Sequence, residues 1–171
     1  MARIISMETS PLTLSVRARA VPILSTMAGS LISLLPVIVQ TPLVPPAGFL
    51  MLIAWRLLRP EFWRIWAALP LGAWDDLFSG QPPGSAMLTW TLAFLLLDMV
   101  DKWLLWRDYW QDWFVAAAVI TLVIAGGFVI ALATGGGGLV LVVVPQIVVS
   151  ILVFPLAVRL CALLDRWRLP G

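Results

Sequence analysis

Apolar residues run through this chain in six long stretches, at 21–39, 47–58, 62–78, 85–103, 113–133 and 139–164. Polar and charged residues gather between the stretches, so the pattern lacks the one-sided amphipathic stripe of a soluble helix. A continuous apolar run of about 20 residues is long enough to cross a hydrocarbon layer as a helix. The second stretch is the shortest. Its 12 residues make only about 18 Å of helix, against a hydrocarbon core of roughly 30 Å.

The separators alternate in character. All eleven Lys and Arg residues fall into four clusters: Arg3, Arg17 and Arg19; Arg56, Arg59 and Arg64; Lys102 and Arg107; Arg159, Arg166 and Arg168. The intervening turns, 41–46, 79–84 and 134–138, are rich in Gly and Pro and hold no cation. Such alternation follows the positive-inside rule and predicts six transmembrane helices with both termini cytoplasmic. The rule also requires the short second stretch to cross, with the extended segment at 42–46 covering part of the depth. Residues 1–19 then form a cytoplasmic tail, 20–165 the bundle and 166–171 a short basic tail. The arginines ahead of the apolar run at 20–39 superficially resemble a secretory signal. The run is too long for one, is interrupted by Pro36 and lacks a small-x-small cleavage site, so it is read as a retained first span.

Within this layout, Pro36 is expected to kink the first span. Arg59, Pro60 and Glu61 form a suitable start for the third, because proline is tolerated at a first helical position and an acid favours the positive end of the helix dipole. Eight of the ten tryptophans, Trp55, Trp63, Trp66, Trp103, Trp106, Trp110, Trp113 and Trp167, fall at the basic face. They are expected to form an interfacial girdle.

Composition narrows the class. Of 171 residues, 61% are hydrophobic and 12% charged, against roughly 25% charged in soluble domains. The net charge of +2 reflects cations beside the spans, where they meet anionic head groups, so it gives no argument for nucleic acid. With no histidine and the single cysteine Cys161, the chain has no His-based triad, no zinc site of nitrogen and sulfur ligands and no internal disulfide. The glycine run at 135–138 has neither the Lys nor the Ser/Thr of a phosphate loop and reads as a turn. No catalytic, cofactor or metal residue is expected, and the chain reads as non-enzymatic.

The segment Gly72-Ala-Trp-Asp75-Asp76-Leu77-Phe-Ser79-Gly80-Gln-Pro82-Pro-Gly84 is more informative. Asp75 and Asp76 lie at the face that has no lysine or arginine. An ionised carboxylate at membrane depth costs several kcal/mol unless it is paired or hydrogen-bonded. The free N–H groups of a helix starting near Gly84 and Ser85 are the nearest compensation. Asp76 is therefore expected to tie the third span to the fourth. Adjacent acids on a helix diverge by roughly 100°, which argues against a catalytic pair. At the other face, Asp98 and Lys102 stand four residues apart and suit a same-face ion pair. Ser25, Gly29 and Ser33 make a small-x-x-x-small stripe on the first span, suited either to packing inside the bundle or to docking a partner subunit.

Together, the length, the six apolar stretches, Arg59-Pro60 before the third span and the pattern of Gly72, Asp76, Leu77, Ser79, Gly80, Pro82 and Gly84 resemble the rod shape-determining protein MreD family of bacterial cell-wall elongation. The sixth stretch and the basic tail after it fit as well. The adjacent acid Asp75 and the proline pair Pro82-Pro83 are local variations. The resemblance implies a multi-pass inner-membrane component without enzymatic activity and without a cofactor. It implies association with MreC, and through it with the MreB cytoskeleton, the RodA glycosyltransferase and its penicillin-binding transpeptidase. It also implies a six-helix fold similar to the substrate-binding components of energy-coupling factor vitamin transporters. Such a transporter component is the alternative function. Its docking half would use Ser25, Gly29 and Ser33, while its pocket would have only Gln40, Thr41, Ser79, Gln81, Thr134 and the two acids. Homo-oligomerisation remains open.

Overall fold

The computed structural model describes residues 11–34, 44–103, 109–136 and 140–168. Those residues are helical with no strand among them: α1 Pro11–Ser30, α2 Ala47–Leu58, α3 Ala68–Asp76, α4 Ser85–Trp103, α5 Tyr109–Ala133 and α6 Val143–Arg168, with four short 3-10 turns. Helices α5 and α6, of 25 and 26 residues, are long and apolar enough to cross a membrane. Helices consecutive in the chain run in opposite directions, so the bundle has two ends. One gathers the turns around residues 44–46, 77–84 and 134–136, and the other carries Arg56, Arg59, Asp101 and Asp165. Pro36, the first ten residues, Arg107, Trp106 and the last three residues lie outside the described residues.

The short helix α2 occupies the middle and packs on α1, α6 and α5. Every residue from Gly48 to Arg56 is buried, as befits a helix apolar on all sides. Its end is set locally. Pro60 disfavours helical backbone at the preceding residue, and Arg59 turns out at φ −142° and ψ 72°. Close approach to α1 depends on absent side chains. A Cβ on Gly29 would stand 3.0 Å from the backbone of Gly48, and one on Gly48 would collide with the Ser30 hydroxyl. Nearby, the Trp55 indole N–H donates to Ser25 Oγ at 2.8 Å. Phe49 of α2 meets Trp90 of α4 at 5.5 Å between ring centroids, and Cys161 of α6 seats its sulfur 3.7 Å from Met51 Sδ.

Three sequence expectations change here. The third span is not a continuous helix from residue 62: Pro60–Phe62 and Ile65–Ala67 are 3-10 turns, and α3 has nine residues. Pro70 explains this, because a helix starting at Ala68 places it in the first turn, where its missing N–H costs nothing. In a helix starting at residue 62 it would break the interior. Helix α1 begins at Pro11 rather than near residue 20 and gives way to a 3-10 turn at Leu31–Leu34, just after Gly29 and Ser30, two poorer helix formers. The tryptophan girdle is also smaller than expected. Trp66, Trp103, Trp110 and Trp167 are exposed, but Trp55 and Trp63 belong to the core. Their rings pack against α1 and α4, as in the edge contact of Trp63 with Phe94 at 6.4 Å.

A charge network closes the basic end. Arg56, only 5% exposed, brings its guanidinium to 2.7 Å from Asp101 and 4.0 Å from Asp98. Lys102 pairs with Asp98 at 2.9 Å. Arg59 donates two bonds to one oxygen of Asp165, at 3.0 and 3.3 Å. Thus α2 is tethered to α4 by one arginine and to α6 by the next. Breaking a fully buried pair costs ~3–5 kcal/mol, and the partly accessible Asp98 and Asp101 reduce that. Arg56→Met is expected to destabilise the protein by about 2 kcal/mol, read from unfolding in detergent, and the added change Asp101→Asn is expected to recover part of the loss.

Candidate functional site

Residues 72–87 join α3 to the start of α4 by close backbone approach and by side-chain to backbone hydrogen bonds. Helix α3 lies along α4 at backbone contact because Gly72 has no side chain. A Cβ there would fall 2.8 Å from the backbone N and Cα of Met87, a separation that real Cβ atoms do not show. One turn further along the same face of α3, at the i+4 position, stands Asp76. Its carboxylate meets the first turn of α4. Oδ1 accepts the Ala86 N–H at 2.8 Å, and Oδ2 accepts the N–H groups of Gly84 and Met87 at 3.0 and 3.2 Å. Ser85 Oγ lies 3.2 Å from Oδ1 and equally far from Gln81 Oε1, so its single proton serves one of them at a time.

These bonds complete the start of α4. The Ser85 N–H donates to Pro82 O at 3.0 Å and the Leu88 N–H to Gly84 O at 3.0 Å. A helix normally leaves its first N–H groups without intrahelical partners. Here an acid from the preceding helix supplies acceptors and a negative charge at the positive end of the dipole. The sequence placed Asp76 against this helix start; the structure adds the number of donors and the role of Gly72.

The turn between the helices needs its glycines. Gly80 has φ +66° and Gly84 φ +92°, left-handed backbone that side chains resist. The Ser79 N–H caps the preceding turn by donating to Asp75 O at 2.9 Å, while its buried hydroxyl has no partner among the described residues. Leu77 points away, 73% exposed. Asp75 diverges from its neighbour and lies against the Ser30 hydroxyl of α1.

The remaining candidates are dispersed. Ser25 and Gly29 face α2 inside the bundle, so two of the three stripe positions serve internal packing. Ser33 sits in the 3-10 turn after α1. Arg59 and Pro60 lie at the opposite end, 13 and 12 positions before Gly72 in sequence, where Pro60 ends α2 and Arg59 binds Asp165. Sequence reasoning missed the pairs Arg56–Asp101 and Arg59–Asp165. A usable signal existed for the second, since Asp165 is the lone acid within the basic cluster of α6. It also missed Gly48, whose partner Gly29 is distant in the chain. No group of three or more potential metal ligands occurs among the described residues.

Comparison with family models, with curated proteins and with solved structures returned no match.

Removing the charge at Asp76 while keeping its shape isolates the clamp. Asp76→Asn retains one acceptor oxygen and turns an NH2 group toward backbone donors. Its expected cost is about 2–4 kcal/mol, combining a lost charged hydrogen bond with unsatisfied N–H groups. Thermal unfolding in detergent should rank wild type above Asp76→Asn, and Asp76→Asn above Asp76→Ala. Equal stability of wild type and Asp76→Asn would exclude the charged role.

Proposed function

We propose that this chain is a six-span, multi-pass component of the bacterial inner membrane, with both termini cytoplasmic, that acts without enzymatic chemistry as a scaffold of the cell-wall elongation complex. In this reading it belongs with the MreD proteins. It binds MreC directly, and through MreC it helps organise RodA, the penicillin-binding transpeptidase and the MreB cytoskeleton. The family fold would be that of the transporter substrate-binding components.

The observation that carries the proposal is the α3–α4 clamp. The residues behind the family resemblance have definite structural work: Gly72 admits α4, Asp76 holds its start, Pro82 accepts from Ser85, and Gly80 and Gly84 make the turn. Leu77 of the same motif is left exposed, available to lipid or to a partner. A scaffold needs such rigid placement more than it needs reactive groups.

The outer surface supports a lipid environment. Leu88, Leu92, Leu95 and Met99 form an exposed stripe on α4, and Val144, Val148, Leu152, Leu156, Leu160 and Leu163 form another on α6. Soluble monomers rarely expose apolar patches beyond a few hundred Å². The described turns at the end opposite the arginines carry no cation, which favours the inside placement of the basic end. The transporter alternative loses ground because Ser25 and Gly29, its docking stripe, are already occupied by α2.

Two experiments test the reading. With Cys161→Ala as background, a cysteine at Thr134 should react with an impermeant maleimide in spheroplasts, whereas one at Trp103 should react only after lysis. The reverse pattern would overturn the orientation. Affinity purification in mild detergent should recover MreC with elongation enzymes. Recovery of paired ATPases and a coupling membrane subunit would replace the scaffold with an uptake function.

A further inference from the structure

At the turn end, a cavity of about 500 Å³ opens among the starts of α2, α4 and α6, the end of α5 and the 79–84 turn. Its size falls within the roughly 300–1,000 Å³ of small-molecule sites. The walls are largely apolar, with Val123, Ile124 and Phe128 from α5 and Trp90 from α4. Five polar residues are among those that line it: Asp75, Gln81, Thr89, Thr134 and Gln146. The clamp does not use this space, since the carboxylate of Asp76 is turned onto the start of α4.

The hydroxyl protons of the threonines and one amide proton of Gln146 are committed elsewhere. Thr89 Oγ1 donates to Ser85 O at 2.8 Å, Thr134 Oγ1 to Ile130 O at 3.0 Å and the Gln146 amide to Val44 O at 3.1 Å. Each retains an oxygen lone pair, while the Gln81 and Gln146 amides also keep N–H donors. Gln81 Oε1 stands 3.2 Å from Ser85 Oγ. Asp75 adds a carboxylate, an acceptor without a donor when ionised. No lysine or arginine is among the residues that line the cavity. The site thus offers several acceptor oxygens, one carboxylate without a cation beside it, and an apolar wall.

We propose that this cavity binds a small organic ammonium ion. An ammonium group has three donors and no acceptor, which complements the lining, and its charge neutralises a half-buried carboxylate that is otherwise costly to hold. The organic body occupies the apolar wall beside Val123, Ile124 and Phe128. An anionic ligand meets the Asp75 carboxylate and no lysine or arginine to offset it. The site does not rest on the scaffold reading, because it leaves the Asp76 carboxylate untouched and requires no partner protein, although Gly80, Pro82 and Ala86 of the clamp border it.

The test uses the full chain in detergent with phenethylammonium as probe and phenethyl alcohol as its uncharged analogue, followed by titration calorimetry. Phenethylammonium should bind wild type more tightly than the alcohol does. Asp75→Asn should weaken the cation by about tenfold or more while leaving the alcohol unchanged, as expected for loss of a charge-assisted bond. Ala131→Leu, which fills the cavity, should abolish binding of both. Equal binding of cation and alcohol to wild type, or equal binding of the cation to wild type and Asp75→Asn, overturns the proposal. If Asp75→Asn does not fold, the comparison of the two probes on wild type decides.

Discussion

The carboxylate of Asp76 on the first turn of α4 is the contact around which the turn end is organised. Three backbone N–H groups converge on it within 3.2 Å, and the geometry leaves little freedom. The acid reaches those amides only because Gly72, one helical turn earlier, allows the two backbones to touch. The chain returns to present the amides only because Gly80 and Gly84 adopt left-handed backbone. Motif spacing here is a consequence of helix pitch: four residues separate the point of contact from the point of capture. Loss of either one weakens the other.

At the opposite end the same problem of holding helices together is solved with ion pairs. Arg56 and Arg59 bracket the end of α2, and their partners sit on α4 and α6. The central helix is short, so its buried arginine must find acids from taller neighbours. Between the two ends the joints are apolar or involve missing side chains, as at Gly29 and Gly48. In lipid, hydrophobic contrast between helices contributes little, and close backbone approach and internal polar contacts of these kinds carry more of the association. The separate uses of Asp75 and Asp76 follow from their divergence on α3: one faces the clamp and the other a cavity.

Much of the candidate site was legible because its constraints are local. Absence of a cation near Asp76, together with Gly84 and Ser85 at a helix start, pointed to that helix start but not to the individual amides: the Ser85 N–H bonds Pro82 O, and Ala86 and Met87 donate beside Gly84. The glycines of the turn carried their own signal. Arg59–Asp165 was less visible, since 106 residues separate the partners and an acid among arginines has several choices. Trp55 and Trp63 misled for a related reason. Tryptophan at the edge of an apolar run favours the interface on average, but these rings fill space between helices.

By itself the sequence determined the helical character, the apolar stretches, the alternation of basic clusters with uncharged turns and the need to compensate Asp76, all properties of residue type and short spacing. Proline also determined where α2 stops and where α3 can start, although this second consequence emerged only with the backbone in view. Tertiary structure decided which faces meet: that Gly29 and Ser25 serve α2, that Arg56 chooses Asp101, that Asp75 borders a cavity. Those outcomes depend on the rotation and tilt of each helix. Apolar residues on every side leave that rotation undetermined in the sequence, and only the packing of all six helices against one another selects it.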